Sequence, residues 1–370
     1  MGYGVAYRTY HVPVVRMNLT KSILHQISTI WEEIECAFDD HIGSPKEYQP
    51  FPLYQIMAMT IARASNRIFI NEEFARNKEY LQLAVDYAQA VVISAELLKP
   101  FPDWMKQYEK QKPELLSSSR ILVKAVPVSS CRRRALKYLR QVVQECLDRK
   151  PGDERPDTMI QWLADAAPPA ERKLDLLVER IMALNVAAIH TTTMIAFSRK
   201  LADLTMLGSV SLLHYTGRCP PAVDPISLDL VAMQRNAKQK FTFSDGTIIP
   251  AGAKIGTPSL ILHRDPTAYE DGDAFDGFRF SKKGAAASSP REAAKFSMVS
   301  TAAEYQIFGH GKHACPGRFY AVNEMKIMLA IFISRYEIKA VPGTAPKQTF
   351  LATMAIPDTQ LETLVKRRET

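Results

Sequence analysis

The sequence predicts a mainly α-helical protein carrying small β-sheets, and three observations lead there. The first half holds a run of segments with helical apolar spacing, separated by proline-rich breaks. The second half changes character at Phe241–Ile249, where apolar residues flank an Asp245-Gly246 pair, the signature of a tight hairpin. A glycine-punctuated loop around Cys315 then leads into the apolar run Phe319–Ile333, which reads as a closing helix.

In order, helices are expected over Leu19–Asp40, Pro52–Ile70, Tyr80–Leu97, Arg132–Asp148 and Thr158–Ala166, with a long helix from Lys173 to Leu204. Breaks fall at Pro100-Phe101-Pro102, Lys150-Pro151-Gly152 and Pro168-Pro169. The stretch 281–300, rich in Ala, Ser, Gly and Lys, reads as a surface loop. The expected organisation is a single domain over 1–370. It comprises a helical part (1–205), an anomalous junction (206–224), and a part with hairpins, loop and closing helix (225–370). The stretch Ile181–Ser198 contains no Asp, Glu, Lys or Arg and is long enough to span a membrane. Its Asn185, His190 and three threonines instead predict a core helix lining a pocket.

Composition narrows the function. A chain of 370 residues with 46% hydrophobic content can bury a sizeable core. Five widely spaced cysteines, an odd number, are no disulfide framework and point to a reducing compartment. The net charge is +8, with basic residues dense at Arg132-Arg133-Arg134, Lys137 and Arg140. No finger spacing or aromatic-interleaved basic motif accompanies them, which excludes the common nucleic-acid modules. An acidic protein partner or an anionic membrane surface fits better.

Phe308-Gly309-His310-Gly311-Lys312-His313-Ala314-Cys315-Pro316-Gly317 carries the chemistry. A thiolate at Cys315 would sit near the positive end of the following helix, with backbone N–H groups able to donate to its sulfur, and Pro316 suits a first helical turn. Cys315 could also be a small buried apolar residue, or could join His310 and His313 around zinc.

The loop resembles the haem-binding segment F-x-x-G-x-[RH]-x-C-x-G of cytochrome P-450 monooxygenases, matching at Phe308, Gly311, His313, Cys315 and Gly317. The resemblance covers most of the chain and is nearest to fungal members of secondary metabolism, through Phe241–Gly246, His263-Arg264-Asp265 and Phe275–Phe280. It implies a haem b whose iron takes Cys315 as its axial metal ligand, and electrons from NADPH through a separate reductase. The implied reaction inserts oxygen from O2 into an apolar small molecule, such as a terpenoid intermediate, by hydroxylation or epoxidation. Ala187-Ala188-Ile189-His190-Thr191-Thr192 is similar to the family's oxygen-activation motif, making Thr191 and His190 the implied catalytic pair, with His190 where an acid is usual. Phe308, Gly311, His313, Arg235 and Arg16 are implied to hold the cofactor, the last from a weak likeness of His11–Arg16 to the family's W-x-x-x-R helix. The family location is the endoplasmic reticulum membrane, cytosolic face.

Two departures shape the expectation for activity. The chain starts near that weak helix, so it reads as truncated, lacking the family's anchor and most of its larger sheet. The E-x-x-R helix expected before Ile226 is missing: His214–Val223 contains no Glu, and Glu73-x-x-Arg76 lies far upstream. Arg279, the implied partner of that glutamate, is therefore expected to stand unpaired. A catalytically impaired family member is the alternative function this implies.

Overall fold

The computed structural model describes residues 5, 8–98, 128–196, 231–272, 279–344, 349–351 and 353–369. The junction 206–224, with Cys219 and the place of the missing E-x-x-R helix, lies outside them, as do residues 273–278 of the Phe275–Phe280 segment.

The elements follow in chain order. Helix α1 (His11–Val14) passes through a π-helical turn (Val15–Leu19) into α2 (Thr20–His41). Strand β1 (Gln49–Phe51) precedes α3 (Leu53–Phe69), α4 (Glu72–Arg76), α5 (Lys78–Leu98), α6 (Val128–Asp148) and α7 (Met159–Ala166). Helix α8 (Leu174–Asn185) runs through a second π-helical turn (Val186–His190) into α9 (Thr191–Ala196). Short strands follow: β2 (Ala232–Asn236), β3 (Phe241–Thr242), β4 (Ile248–Ile249) and β5 (Lys254–Thr257). Helices α10 (Ser259–Leu262), α11 (Arg279–Ala285) and α12 (Pro290–Ala294) lead to a 3₁₀ turn (Gly311–His313) and α13 (Arg318–Arg335). The chain closes with β6 (Tyr336–Ala340), β7 (Thr349–Leu351), β8 (Met354–Ile356) and β9 (Thr363–Arg367).

The chain forms two compact units, one of residues 1–197, 319–344 and 359–370, the other of 198–318 and 345–358. In the first, α2 buries Ile23, Ile30, Ile34, Ala37 and Phe38, a stripe at helical spacing. Phe38 packs on Phe332 of α13 and Tyr336 of β6, with ring centroids 5.5 and 6.2 Å away. Burying each such side chain contributes about 1.5–3 kcal/mol. Helix α3 is buried nearly all round, so its polar residues must find partners inside. Thr60 and Asn66 each donate to the carbonyl one turn earlier, and Ser65 donates to Glu324. The sheet β1-β9-β6 is antiparallel throughout.

Among its described residues the second unit holds three two-stranded sheets. The predicted hairpin forms: Phe241 pairs with Ile249 and Thr242 with Ile248 around a turn whose Gly246 has φ +89°. The stretch 281–300 corrects its reading as a loop. Most of α11 and all of α12 lie there; Ser289 caps α12 by accepting from the Glu292 N–H, and Pro290 opens it. The long helix also differs from expectation, since the π-helical turn interrupts it.

One buried acid invites a test. Glu324 is 0% exposed; its Oε1 accepts from Ser65 Oγ at 2.8 Å and from Tyr320 at 3.2 Å. Its Oε2 has no partner among the described residues. Burial pushes its pKa up to about 8. The folded protein therefore binds one more proton than the unfolded chain between the ordinary carboxylate range and pH 8, so this group's contribution falls as pH rises through that window. The expected outcome is that Glu324→Gln gains on the wild type by roughly 1.4 kcal/mol per pH unit there and levels off above. Urea midpoints at pH 5, 7 and 9 check this; a difference that does not change with pH would mean the acid is ionised in the fold.

Candidate haem-thiolate loop and oxygen-activation helix

In the second unit the loop before α13 is shaped by backbone conformation. Gly309 and Gly311 adopt φ of +68° and +71°. Around Gly311 an added Cβ would meet nothing within 4 Å, so left-handed backbone and not crowding demands glycine there. The Cys315 N–H donates to the carbonyl of Phe308 at 2.8 Å and closes the loop. Phe308 is buried, while His310, Gly311 and His313 are exposed. Pro316 and Gly317 make a turn ahead of α13, so Pro316 stands two residues before the helix and not within its first turn.

The sulfur of Cys315 accepts from the backbone N–H groups of Gly317 and Arg318. Burial pushes its thiol up, against the pull of those N–H groups and the Arg318 charge. Arg318 itself is tied down, donating to the carbonyls of Val299 at 3.0 Å and Cys315 at 2.9 Å. A desolvated sulfur at a helix N-terminus, supplied with N–H donors, suits a thiolate bound to a cation, which removes the proton outright. The donor set thus fits a haem iron. It does not fit zinc: among the described residues no three His, Cys, Asp or Glu side chains gather into a metal-binding group, so His310, His313 and Cys315 do not converge.

His263 escaped the sequence reading as a supporting residue. Its buried Nε2 accepts from the backbone N–H of Gln306 at 3.0 Å, just ahead of the loop. Burial lowers its pKa to about 4, which keeps that nitrogen a neutral acceptor. The signal available was His263-Arg264-Asp265, legible as a phrase but without a partner until the fold supplied Gln306.

Arg235 lies on β2 of the same unit, beyond a bulge where Met233 has φ +48°. It is exposed, donates to the carbonyl of Gln234 at 2.8 Å, and lines an open recess of about 360 Å³ with Lys254 and Asn236. Two cations at one recess suit a carboxylate. Arg279 corrects the expectation made for it: its guanidinium donates to the carbonyls of Glu270 at 2.5 Å and Asp271 at 2.9 Å. Backbone oxygens thus serve a buried arginine that was expected to stand unpaired.

In the first unit, the π-helical turn Val186–His190 ends at the residue before Thr191. A widened turn displaces the usual donors to its carbonyls. Thr191 Oγ1 donates to Ala187 O at 2.5 Å and Thr193 Oγ1 to Ile189 O at 2.6 Å. Thr191 is exposed. His190 keeps its Nε2 buried without a partner among the described residues, and burial lowers its pKa to about 4, so the ring is neutral at pH 7. Arg16, in the first π-helical turn, is exposed and makes no described hydrogen bond or ion pair. Glu73-x-x-Arg76 forms no pair of its own; Arg76 bonds Glu33 and Glu72 instead.

Residues 227–364 match the cytochrome P450 family. Over 97% of its length the chain is 31% identical to cytochrome P450 monooxygenase 151 of Postia placenta, covering 76% of that protein. The chain belongs to the cytochrome P450 family. It is also 30% identical to cytochrome P450 monooxygenase AN1598 of Emericella nidulans, and 30% to the ent-kaurene oxidase of Gibberella intermedia, covering 70% of each. Solved P450 structures share the fold. The haem domain of cytochrome P450DA gives a TM-score of 0.66 at 14% identity, over 97% of this chain and 77% of that one. The retinoic acid bound cyanobacterial CYP120A1 gives 0.66 at 16%, over 100% and 80%. The protein is therefore a P450 monooxygenase, an oxidoreductase acting on apolar substrates, in a family that uses haem with a cysteine thiolate and a reductase partner. Among the described residues no helix is long and apolar enough to cross a membrane.

Proposed function

We propose that this P450 oxidises an apolar secondary-metabolite intermediate of the terpenoid class, with Cys315 as the axial ligand. The observation that carries the ligand assignment is the place of Cys315 at the end of a glycine-shaped loop, closed by its own N–H on Phe308 O and lying directly ahead of α13. The terpenoid class rests on likeness to the ent-kaurene oxidases. Phe308 and Gly311 shape the loop, and Arg235, Arg16 and His313 are the side chains that would donate to the cofactor's carboxylates; the exposure of all three supports this. Bound haem supplies the activation of dioxygen.

The chain's own residues manage protons. The Thr191 hydroxyl spends its hydrogen on Ala187 O, so its lone pairs are open to accept, and it donates elsewhere only by releasing that carbonyl. The neutral His190 ring has one N–H to donate and one nitrogen to accept, so it can relay a proton without resting charged, in the place usually given to an acid. Exposed Arg132, Arg133, Arg134, Lys137 and Arg140 on α6 offer an acidic reductase a docking charge, which Arg132 shares with Glu179, 3.3 Å away.

The reduced, carbon-monoxide-bound spectrum tests the ligand: a red-shifted Soret band is expected, whereas a shorter-wavelength band would mark the impaired reading. Thr191→Ala is expected to keep haem while diverting NADPH electrons to peroxide. His190→Ala is expected to slow turnover with the spectrum unchanged. Normal coupling in Thr191→Ala would remove that hydroxyl from the mechanism.

A further inference from the structure

A buried amide pair lies at the entrance of the π-helical turn. Asn66 on α3 and Asn185, the last residue of α8, are both 0% exposed. Asn66 Nδ2 donates to Asn185 Oδ1 at 2.7 Å and to Ala62 O at 2.8 Å. Asn185 Nδ2 donates to Ile181 O at 3.2 Å, and the Tyr80 hydroxyl donates to Asn66 Oδ1 at 3.4 Å. These bonds fix both amides. Turning Asn185 over would set NH2 against NH2 and oxygen against the Ile181 carbonyl. Two amides without side-chain exposure cost more to bury than two leucines, and such polar pairs are retained where they specify register.

Register is what this helix needs. A π-helical turn can relax into α-helix or migrate along the chain, and either would rotate Thr191 and His190 about the helix axis. Past the turn, Thr191 and Thr193 bond carbonyls inside it, but they move with the helix and cannot locate it. Asn66 belongs to another helix and can. We propose that Asn66 and Asn185 are positioning residues that pin the widened turn at Val186–His190, and so set where Thr191 and His190 present themselves for oxygen chemistry. This rests on the role given to Thr191 above.

Asn185→Asp is the discriminating variant. A protonated carboxyl can donate to Ile181 O and accept from Asn66, reproducing both bonds. The ionised form cannot donate, so the pin becomes pH-dependent. The first readout is amide hydrogen exchange over 186–193 in the chain without haem, corrected for intrinsic rates. Wild-type protection is expected to be flat with pH. Asn185→Asp should match it at pH 5.5 and lose about tenfold at pH 8.5, the scale of one buried hydrogen bond. Asn185→Leu should lose it at both. Protection in α2 and α13 should be unchanged. Unaltered exchange over 186–193 in Asn185→Leu, or loss spread evenly through the unit, would overturn the proposal.

The second readout is peroxide formed per NADPH by the haem-loaded variants. Uncoupling in Asn185→Asp that rises with pH is expected. If exchange responds and Thr191→Ala uncouples while Asn185→Asp does not, the positioning role is wrong. If Thr191→Ala itself stays coupled, the role of Thr191 has failed and the pin stands on exchange alone.

Discussion

Cys315→Ser is expected to abolish the red-shifted Soret band completely while leaving the unfolding midpoint within about 1 kcal/mol of the wild type, because little packing changes. A hydroxyl is too weak an acid to ionise where a thiol can, and its hard oxygen is a poor partner for haem iron. The N–H groups of Gly317 and Arg318 would then face a neutral hydroxyl in place of sulfur. The other cysteines serve as controls. Cys131 and Cys146 are buried on α6, where burial pushes both thiols up, and Cys36 is half-buried on α2. Serine at any of these, or at Cys219, should keep the band. Retention of the band in Cys315→Ser would break the ligand assignment, since among the described residues the other cysteines lie on helices.

What the sequence disclosed follows from which forces are local. Apolar content and spacing fixed α2, α3, α5, α6 and α7 to within a few residues, whether one face is buried, as in α2 and α6, or nearly the whole helix, as in α3. The Asp245-Gly246 turn was legible because only a few residues accept a left-handed backbone. The short helices α11 and α12 were not, because small and polar residues dominate them. Their stability comes from a cap at Ser289 and from the cluster of Tyr269, Phe280 and Tyr305, which joins residues far apart in sequence. The π-helical turns carry no periodic signature of their own. In the second, the carbonyls of Ala187 and Ile189 take side-chain donors.

The candidate site divides the same way. The loop around Cys315 could be read because glycine conformation and helix position are local properties. Arg279 could not, since its partners are backbone carbonyls of Glu270 and Asp271, and no side-chain motif announces a carbonyl. Glu73-x-x-Arg76, set aside in the sequence for its place far upstream, shows the complementary limit: spacing alone names no partner, and packing gives Arg76 to Glu33 and Glu72.

That last arrangement carries the largest stability effect expected in the fold. Glu33 has a side chain 1% exposed and accepts from two arginines: Arg63 Nε at 2.7 Å and Arg76 Nη2 at 2.7 Å. Arg63 is itself buried and, among the described residues, reaches one further carboxylate, Asp40, which is half in solvent. Glu33→Ala would leave a desolvated guanidinium with half its compensation, at a cost of about 3–5 kcal/mol, against a total stability of roughly 5–15 kcal/mol. Glu33→Gln should cost less, because an acceptor remains. Burial pushes the Glu33 carboxyl up, but the bonds and charges of Arg63 and Arg76 outweigh it and hold it below its ordinary value. Its contribution is therefore complete above the ordinary carboxylate range and lost as pH falls through the lower, folded value. The gap between wild type and Glu33→Ala should accordingly narrow in acid. Replacing both partners by apolar residues, Glu33→Leu with Arg63→Met, should recover much of the loss, since the penalty comes from an orphaned charge and not from a missing attraction. Urea midpoints at pH 7 and pH 3.5 measure all of this. A Glu33→Ala protein within about 1 kcal/mol of wild type at pH 7 would show that water reaches Arg63 and that this network holds nothing together.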